Sequence, residues 1–250
     1  MRWLSLMVLI TLPQFCIAQE VSYQFEQANQ FYRNGNFQNA LAMYEQIVTN
    51  GYESSVLHYN LGNAYFKLQN IPAAILQYER ARILAPHDED VSYNLHLANL
   101  RVIDKIEPIP KLFFIEWWRA FVDMFSSDGW AMIGVINLWL AAFGGATYLF
   151  IRTIVLQRLA FFLSFLSVLL CILAFTGTFQ RIHREQNEQN GIVFSASVSV
   201  KSSPDAQSTD LFVLHDGVKV ELLDTIGEWK KIRLADGKVG WIPVESLQVI

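Results

Sequence analysis

Arg33, Lys67 and Arg101 follow one another at a single interval of 34 residues, and Asn29 and Asn63 stand at the same interval just ahead of the first two cations. Cations and amide N–H donors held in register suit carboxylates, so the chemistry on offer is recognition of an acidic peptide or a free carboxy terminus. The alternative is a row of solvated surface charges. Other chemistries find less support. His215 sits beside a turn with no accompanying nucleophile, and is expected to be an exposed turn residue and not a base. No cluster of Cys, His and carboxylates has metal-ligand spacing, so neither a metal nor a cofactor is implied. A formal charge of −4 offers no basic excess to meet phosphates, which argues against a nucleic-acid partner. Without a nucleophile and base pair, the chain is not expected to be an enzyme.

The elements that carry this pattern are helical. Ala28 recurs as Gly62, Phe31 as Tyr65, Ala40 as Ala74 and Tyr44 as Tyr78, while Leu61-Gly62-Asn63-Ala64-Tyr65 and the later Ala81 and Pro86 complete one copy. The small residues let paired helices approach closely, and the aromatic residues fill the space beside them. Asn34-Gly35-Asn36 and Gln69-Asn70-Ile71-Pro72 read as the turns within each hairpin, with Pro72 in a first helical turn that tolerates it. This resembles the tetratricopeptide repeat, and predicts a domain over 19–106 with repeats at 21–54 and 55–88 and a closing helix at 89–106. The resemblance implies a concave groove lined by the first helix of each pair. Transferring its positions by offset gives Phe25, Asn29 and Arg33, then Tyr59, Asn63 and Lys67, then Tyr93, Leu97 and Arg101.

Two uncharged apolar runs, 129–151 and 159–179, follow further along. Each has about 20 residues or slightly more, enough at 1.5 Å per residue to cross a hydrocarbon core of roughly 30 Å. Neither contains Asp, Glu, Lys, Arg or His, so the pair is expected to anchor or assemble and not to conduct. Ala141 with Gly145 and Ala142 with Ala146 offer close-packing pairs. The turn at 152–158 carries Arg152 and Arg158 and no acid, as a cytoplasmic loop would. Arg181 and Arg184, just beyond the second run, pull the other way. A turn so short returns the chain to the side it left, so the segments before and after share a compartment.

The amino terminus indicates which. Met1-Arg2, an apolar stretch over 3–12 and Cys16-Ile17-Ala18 before Gln19 have the layout of a secretory signal peptide over 1–18. The alternatives are an uncleaved anchor, which exports the chain equally, and a lipoprotein, which Phe15 ahead of Cys16 disfavours. Cys16 would leave with the signal and Cys171 lies within the second span, so no intramolecular disulfide is expected. The expected location is therefore an inner membrane, with two passes and both soluble parts periplasmic. A hydrophobic fraction of 52% and a positive mean hydropathy fit such a chain.

Between repeat and membrane, the segment 107–128 opens with Pro108 and Pro110, which stop the helix. It continues as a short helix whose Phe114, Trp117, Trp118, Phe121, Val122 and Phe125 share one face. So aromatic a stripe next to a span predicts a helix in the membrane interface, with packing on the repeat domain as the alternative. Ser126-Ser127-Asp128 then caps the first span.

After a linker at 180–190, strands are predicted at 196–200, 210–214, 219–224, 229–233 and 239–243, separated by turns at 216–217, 226–228 and 236–237. Val198-Ser199-Val200 before Ser203-Pro204, Gly217 to Val220, Glu228-Trp229 with Lys231-Ile232, and Gly240-Trp241-Ile242-Pro243 together resemble a bacterial SH3-like barrel over 191–250. Trp229 and Trp241 are then ligand platforms or core residues. The expected fold class is multidomain: all-α tetratricopeptide hairpins, a two-helix transmembrane hairpin and an all-β SH3-like barrel.

The whole order of parts, with the stretches 103–110 and 117–130 in particular, is similar to the BatE family of the bacterial aerotolerance operon. That resemblance implies membrane partners of the BatA and BatB type bearing von Willebrand A domains, and a role in tolerance of oxygen or envelope stress. The residues themselves imply less: a non-enzymatic adaptor gathering proteins at a bilayer, or an envelope sensor whose SH3-like part grips peptidoglycan.

Overall fold

A computed structural model describes residues 20–110, 112–187 and 189–250, so the expected signal peptide lies outside the described residues. The chain divides into two compact units, one joining the part up to Pro108 with Asn190–Ile250 and the other formed by Ile109–Gln189. The first unit is thus interrupted in sequence by the second.

Helices α1 (20–33), α2 (Phe37–Thr49), α3 (Ser55–Lys67), α4 (Ile71–Leu84) and α5 (Glu89–Asn99) make two hairpins and a fifth helix. Polar residues start them: Asn36, Ser54, Asn70 and Asp88 each accept a bond from a backbone N–H of the helix that follows. Gly62 is small because of its neighbour, since a Cβ there would come within 2.7 Å of the Tyr78 ring. The hairpins are stitched by a hydrogen-bond ladder that repeats every 34 residues. Tyr44 Oη donates to Asn29 Oδ1 at 2.6 Å and Asn60 Nδ2 donates to the same oxygen at 3.1 Å. One period on, Tyr78 Oη and Asn94 Nδ2 donate to Asn63 Oδ1 at 2.7 and 2.9 Å.

The strands are β1 (Gln189–Val193), β2 (Ser197–Lys201), β3 (Asp210–His215), β4 (Lys219–Ile226), β5 (Trp229–Arg233), β6 (Val239–Pro243) and β7 (Leu247–Val249). They form an open seven-stranded sheet in the order β3-β2-β6-β5-β4-β1-β7. The expected closed barrel is therefore wrong. β1 and β7 pair with each other, Ile192 opposite Gln248, and extend the sheet past β4, so that β3 and β7 are left as its two edges. Of the residues expected to be linker, those up to Asn187 continue the last long helix and Gln189–Asn190 open β1, which runs on into the expected SH3-like part, while β7 has only three residues, too short for a visible period.

Helices and sheet share one core. Ala74, Ile75, Leu76 and Tyr78 of α4 and Leu95, Ala98 and Val102 from α5 onward cluster with Ile192, Val193, Val218, Val220 and Leu222 of the sheet. This is why residues 72–79 are all buried, a pattern no amphipathic surface helix would show. Polar ties rim the seam. Glu79, only 5% exposed, accepts from Lys219 Nζ at 2.9 Å and Arg82 Nη2 at 2.6 Å. Asp104 Oδ2 accepts the His215 backbone N–H at 2.7 Å, and its Oδ1 lies 3.0 Å from His215 Nδ1, which must carry the proton to donate there. His215 is thus half-buried and pinned, and the expectation of a free turn residue fails. Arg80 donates to the Val249 carbonyl at 3.0 Å, closing over part of the β7 edge.

The second unit holds α6 (Phe113–Val122), α7 (Ser127–Phe150) and α8 (Ile154–Asn187). α7 and α8 are long and apolar enough to cross a membrane, and only 6% and 22% of their most apolar windows are buried, unlike the core helix of a soluble domain. Their turn spans only residues 151–153, so Arg158 lies on α8. The close-packing site is Gly144, outside the expected pairs: a Cβ there would lie 3.0 Å from Ser164 Cβ, and Ser164 Oγ donates to the Ala141 carbonyl at 2.9 Å, whereas Ala142 and Ala146 are exposed.

Two expectations test this fold, both by denaturation of the full chain in detergent. Gly217 has φ +85° and a Cβ there would meet Val102 Cγ2 at 2.9 Å. Gly217→Ala should cost about 1–3 kcal/mol, and more than Gly227→Ala, whose left-handed turn opens on empty space. Equal losses would mean that the seam does not press on residue 217. Burial pushes the Tyr44 phenol up from 10.0 to about 12, and Tyr78 is raised for the same reason. A folded pKa above the unfolded one gives stability that is complete below pH 10 and lost as pH rises toward 12, on the order of 2 kcal/mol for Tyr44. Tyr44→Phe should flatten that alkaline slope.

Candidate functional groove

The first helices of the hairpins, α1 and α3, and α5 beyond them, line the concave side. Between α3 and α5 lies a cavity of about 300 Å³ walled by Tyr32, Tyr59, Phe66 and Tyr78, with Asn63, Lys67, Asn94 and Leu97 completing it. Of the nine expected groove residues, Tyr59, Asn63, Lys67 and Leu97 meet here. Phe25 belongs to the first hairpin's core, its ring 5.8 Å from that of Tyr44. Tyr93 is exposed and stands outside the cavity wall.

The three cations are not equivalent. Arg33 Nη2 lies 2.5 Å from Glu26 Oε1, with both side chains exposed. The guanidinium and the Asn29 amide hold the Glu26 carboxyl below its usual range. Arg101 lies over the Phe66 ring, 6.0 Å from its centroid. Lys67, exposed at the end of α3, has no ion-pair partner among the described residues. Of the three cations, Lys67 is therefore the one with neither an ion pair nor a ring contact among the described residues.

The asparagines are also half committed. Asn29 Oδ1 and Asn63 Oδ1 each accept two bonds of the inter-repeat ladder. Asn29 Nδ2 reaches Glu26 at 3.3 Å, while Asn63 Nδ2 meets no protein acceptor among the described residues. Their first duty is to hold the repeats together, and what remains at the cavity is one amide donor beside Lys67. Asn60, Asn94 and Tyr32 were not among the expected residues. The recurrence of Tyr59-Asn60-Leu61 as Tyr93-Asn94-Leu95 was the available signal for the first two. An ammonium, an amide donor and aromatic walls suit a carboxylate on an extended or apolar chain.

On the sheet, Trp229 and Trp241 share the face opposite Ile232 and Ile242, since Trp229 pairs with Pro243 and Lys231 with Trp241. Trp241 is 8% exposed and partly covered by Lys231, whose Nζ lies 5.8 Å from its ring. Trp229 is half-buried and borders an open cleft of about 650 Å³ with Glu228, Pro243 and Glu245. The two indoles thus form no common platform. Among the described residues no group of His, Cys, Asp and Glu could hold a metal ion.

Comparison with known families agrees with these shapes. A tetratricopeptide-repeat family model matches residues 25–89, and a bacterial SH3 domain model matches residues 196–248. A search of the curated proteins finds no match. Tetratricopeptide repeats and SH3-like domains are non-catalytic interaction modules, and with two membrane-length helices between them they make the architecture of a membrane-associated scaffold or adaptor.

Proposed function

We propose that this chain is a two-pass inner-membrane adaptor whose repeat groove captures a carboxylate-bearing segment of a partner protein in the periplasm. The observation that carries this reading is the core common to the helical repeats and the sheet, which leaves the concave groove open. Two chain segments on either side of a pair of spans can fold together only if both lie on one side of the bilayer. The signal-like layout of residues 1–18 supports the periplasm as that side. The groove's ammonium and amide donor, Lys67 and Asn63, select acidic ligands. The partners we infer are membrane proteins of the BatA and BatB type with von Willebrand A domains, in a complex serving aerotolerance or the response to envelope stress. That assignment rests on the resemblance to the BatE family.

A second reading is favoured by the Trp229 cleft: an envelope sensor that grips peptidoglycan or cell-wall peptides. Retention of the full-length chain on purified sacculi, lost in Trp229→Ala, would support it over the adaptor. The full chain is required because the sheet shares its core with the helices.

Titration of the detergent-solubilised chain with acidic and basic peptides tests the groove. Acidic peptides should bind more tightly, and Lys67→Glu should weaken them about 10-fold, near 1.4 kcal/mol, with added salt acting in the same direction. Equal affinity for both peptide classes, insensitive to salt, would sink the clamp. For the topology, a phosphatase fused after Ile250 should be active and one inserted at 152–158 silent. Crosslinking in intact membranes then identifies what is captured.

A further inference from the structure

Helix α6 is fastened along its length to the ends of both spans at one level. Trp118 Nε1 donates to Gln180 Oε1 at 2.7 Å, immediately after the second apolar run ends at Phe179. Trp130, near the start of α7, donates from Nε1 to the Val122 carbonyl at 2.8 Å. Asp123, which ends α6, accepts at Oδ1 from Arg181 Nη1 at 2.5 Å and from Arg184 Nη1 at 2.7 Å. Trp118, Phe121 and Val122 turn toward the spans, Phe121 lying 5.3 Å from the Trp130 ring and Val122 fully buried. The aromatic stripe is therefore divided. Phe113, Phe114 and Trp117 stay 82%, 53% and 70% exposed on a helix held where apolar span gives way to polar chain.

We propose that Phe113, Phe114 and Trp117 are seated in the headgroup–acyl boundary of the adjoining leaflet, and that Asp123 is the positioning residue that sets their depth. The amphipathic indole favours that zone, and the phenyl rings supply the apolar face that an interfacial helix buries at the acyl boundary. Asp123 also joins the two guanidiniums that follow the second span, which holds Arg181 and Arg184 level with the end of α6. The proposal rests on α7 and α8 crossing the bilayer and is independent of what the groove binds.

The test uses the full chain with Cys16→Ser and Cys171→Ala, carrying either Trp117→Cys or Trp139→Cys labelled with nitrobenzoxadiazole. The protein is reconstituted in vesicles of phosphatidylethanolamine and phosphatidylglycerol brominated at shallow or deep acyl positions. Trp139, mid-way along α7 and 73% exposed, reports the span. The label at 117 should be quenched roughly twofold more by shallow than by deep bromines, and the label at 139 in the opposite order. Asp123→Asn should shift the label at 117 toward quenching by aqueous iodide by roughly twofold while leaving 139 unchanged, and Asp123→Glu should restore it. Deep quenching at 139 with iodide quenching at 117 in the otherwise unchanged chain would overturn the interfacial seat. Protection of 117 from both quenchers, varying with protein density, would assign the face to a second copy of the chain and also overturn it. Absence of bromine quenching at 139 would remove the spans themselves. An unchanged signal at 117 in Asp123→Asn would overturn the positioning role.

Discussion

The packing of α4 against both its helical neighbours and the β-sheet is the constraint on which the first unit depends. Ile75 and Tyr78 lie in one cluster with Val193, Val218 and Val220, so neither the repeats nor the sheet has a finished surface without the other. Two hairpins and a fifth helix are near the lower limit for a stable repeat stack, which needs about three units to bury a continuous core. The sheet supplies the missing partner. Because two membrane-length helices are inserted between the two contributors, the shared core is compatible only with both lying on one side of a bilayer that those helices cross.

The same economy of partners shapes the groove. Residues that look like ligands in a repeat alignment serve the repeat first: Asn29 and Asn63 each bind a tyrosine of their own hairpin and an asparagine of the next. Arg33 is held by Glu26, and Arg101 rests over Phe66. What faces the cavity without a protein partner among the described residues is Lys67 with the Asn63 amide, a narrower array than three aligned cations. An ammonium beside aromatic walls offers one charge-assisted contact and apolar packing, chemistry that suits a short carboxylate-bearing segment.

Much of this was legible in the residues. The 34-residue recurrence places the hairpin turns at 34–36 and 69–72, where Asn36 and Asn70 cap the helices that follow, and two uncharged runs become α7 and α8. Five strands fall where alternation and turn residues put them. The closed barrel did not follow, because β1 has only Ile192 and Val193 as adjacent apolar residues after a polar start and β7 is three residues long, and neither carries a period that local reading can detect. Within the groove, the cation column was visible but its occupancy was not: Glu26 sits two turns ahead of Arg33 on the same helix, whereas Phe66 meets Arg101 only once the end of α5 is folded beside α3.

Periodicity and length are local properties, so the sequence by itself determined the helical repeat, the two membrane-length helices and most of the strand positions. Only the tertiary structure decided that the sheet is open, that it completes the core of the repeats, and that Asp104 meets His215 and Glu79 meets Lys219 across more than a hundred residues of chain. The reason is that burial on the second face of α4 exists only once the sheet is present. No spacing within either segment records which distant surface will cover it.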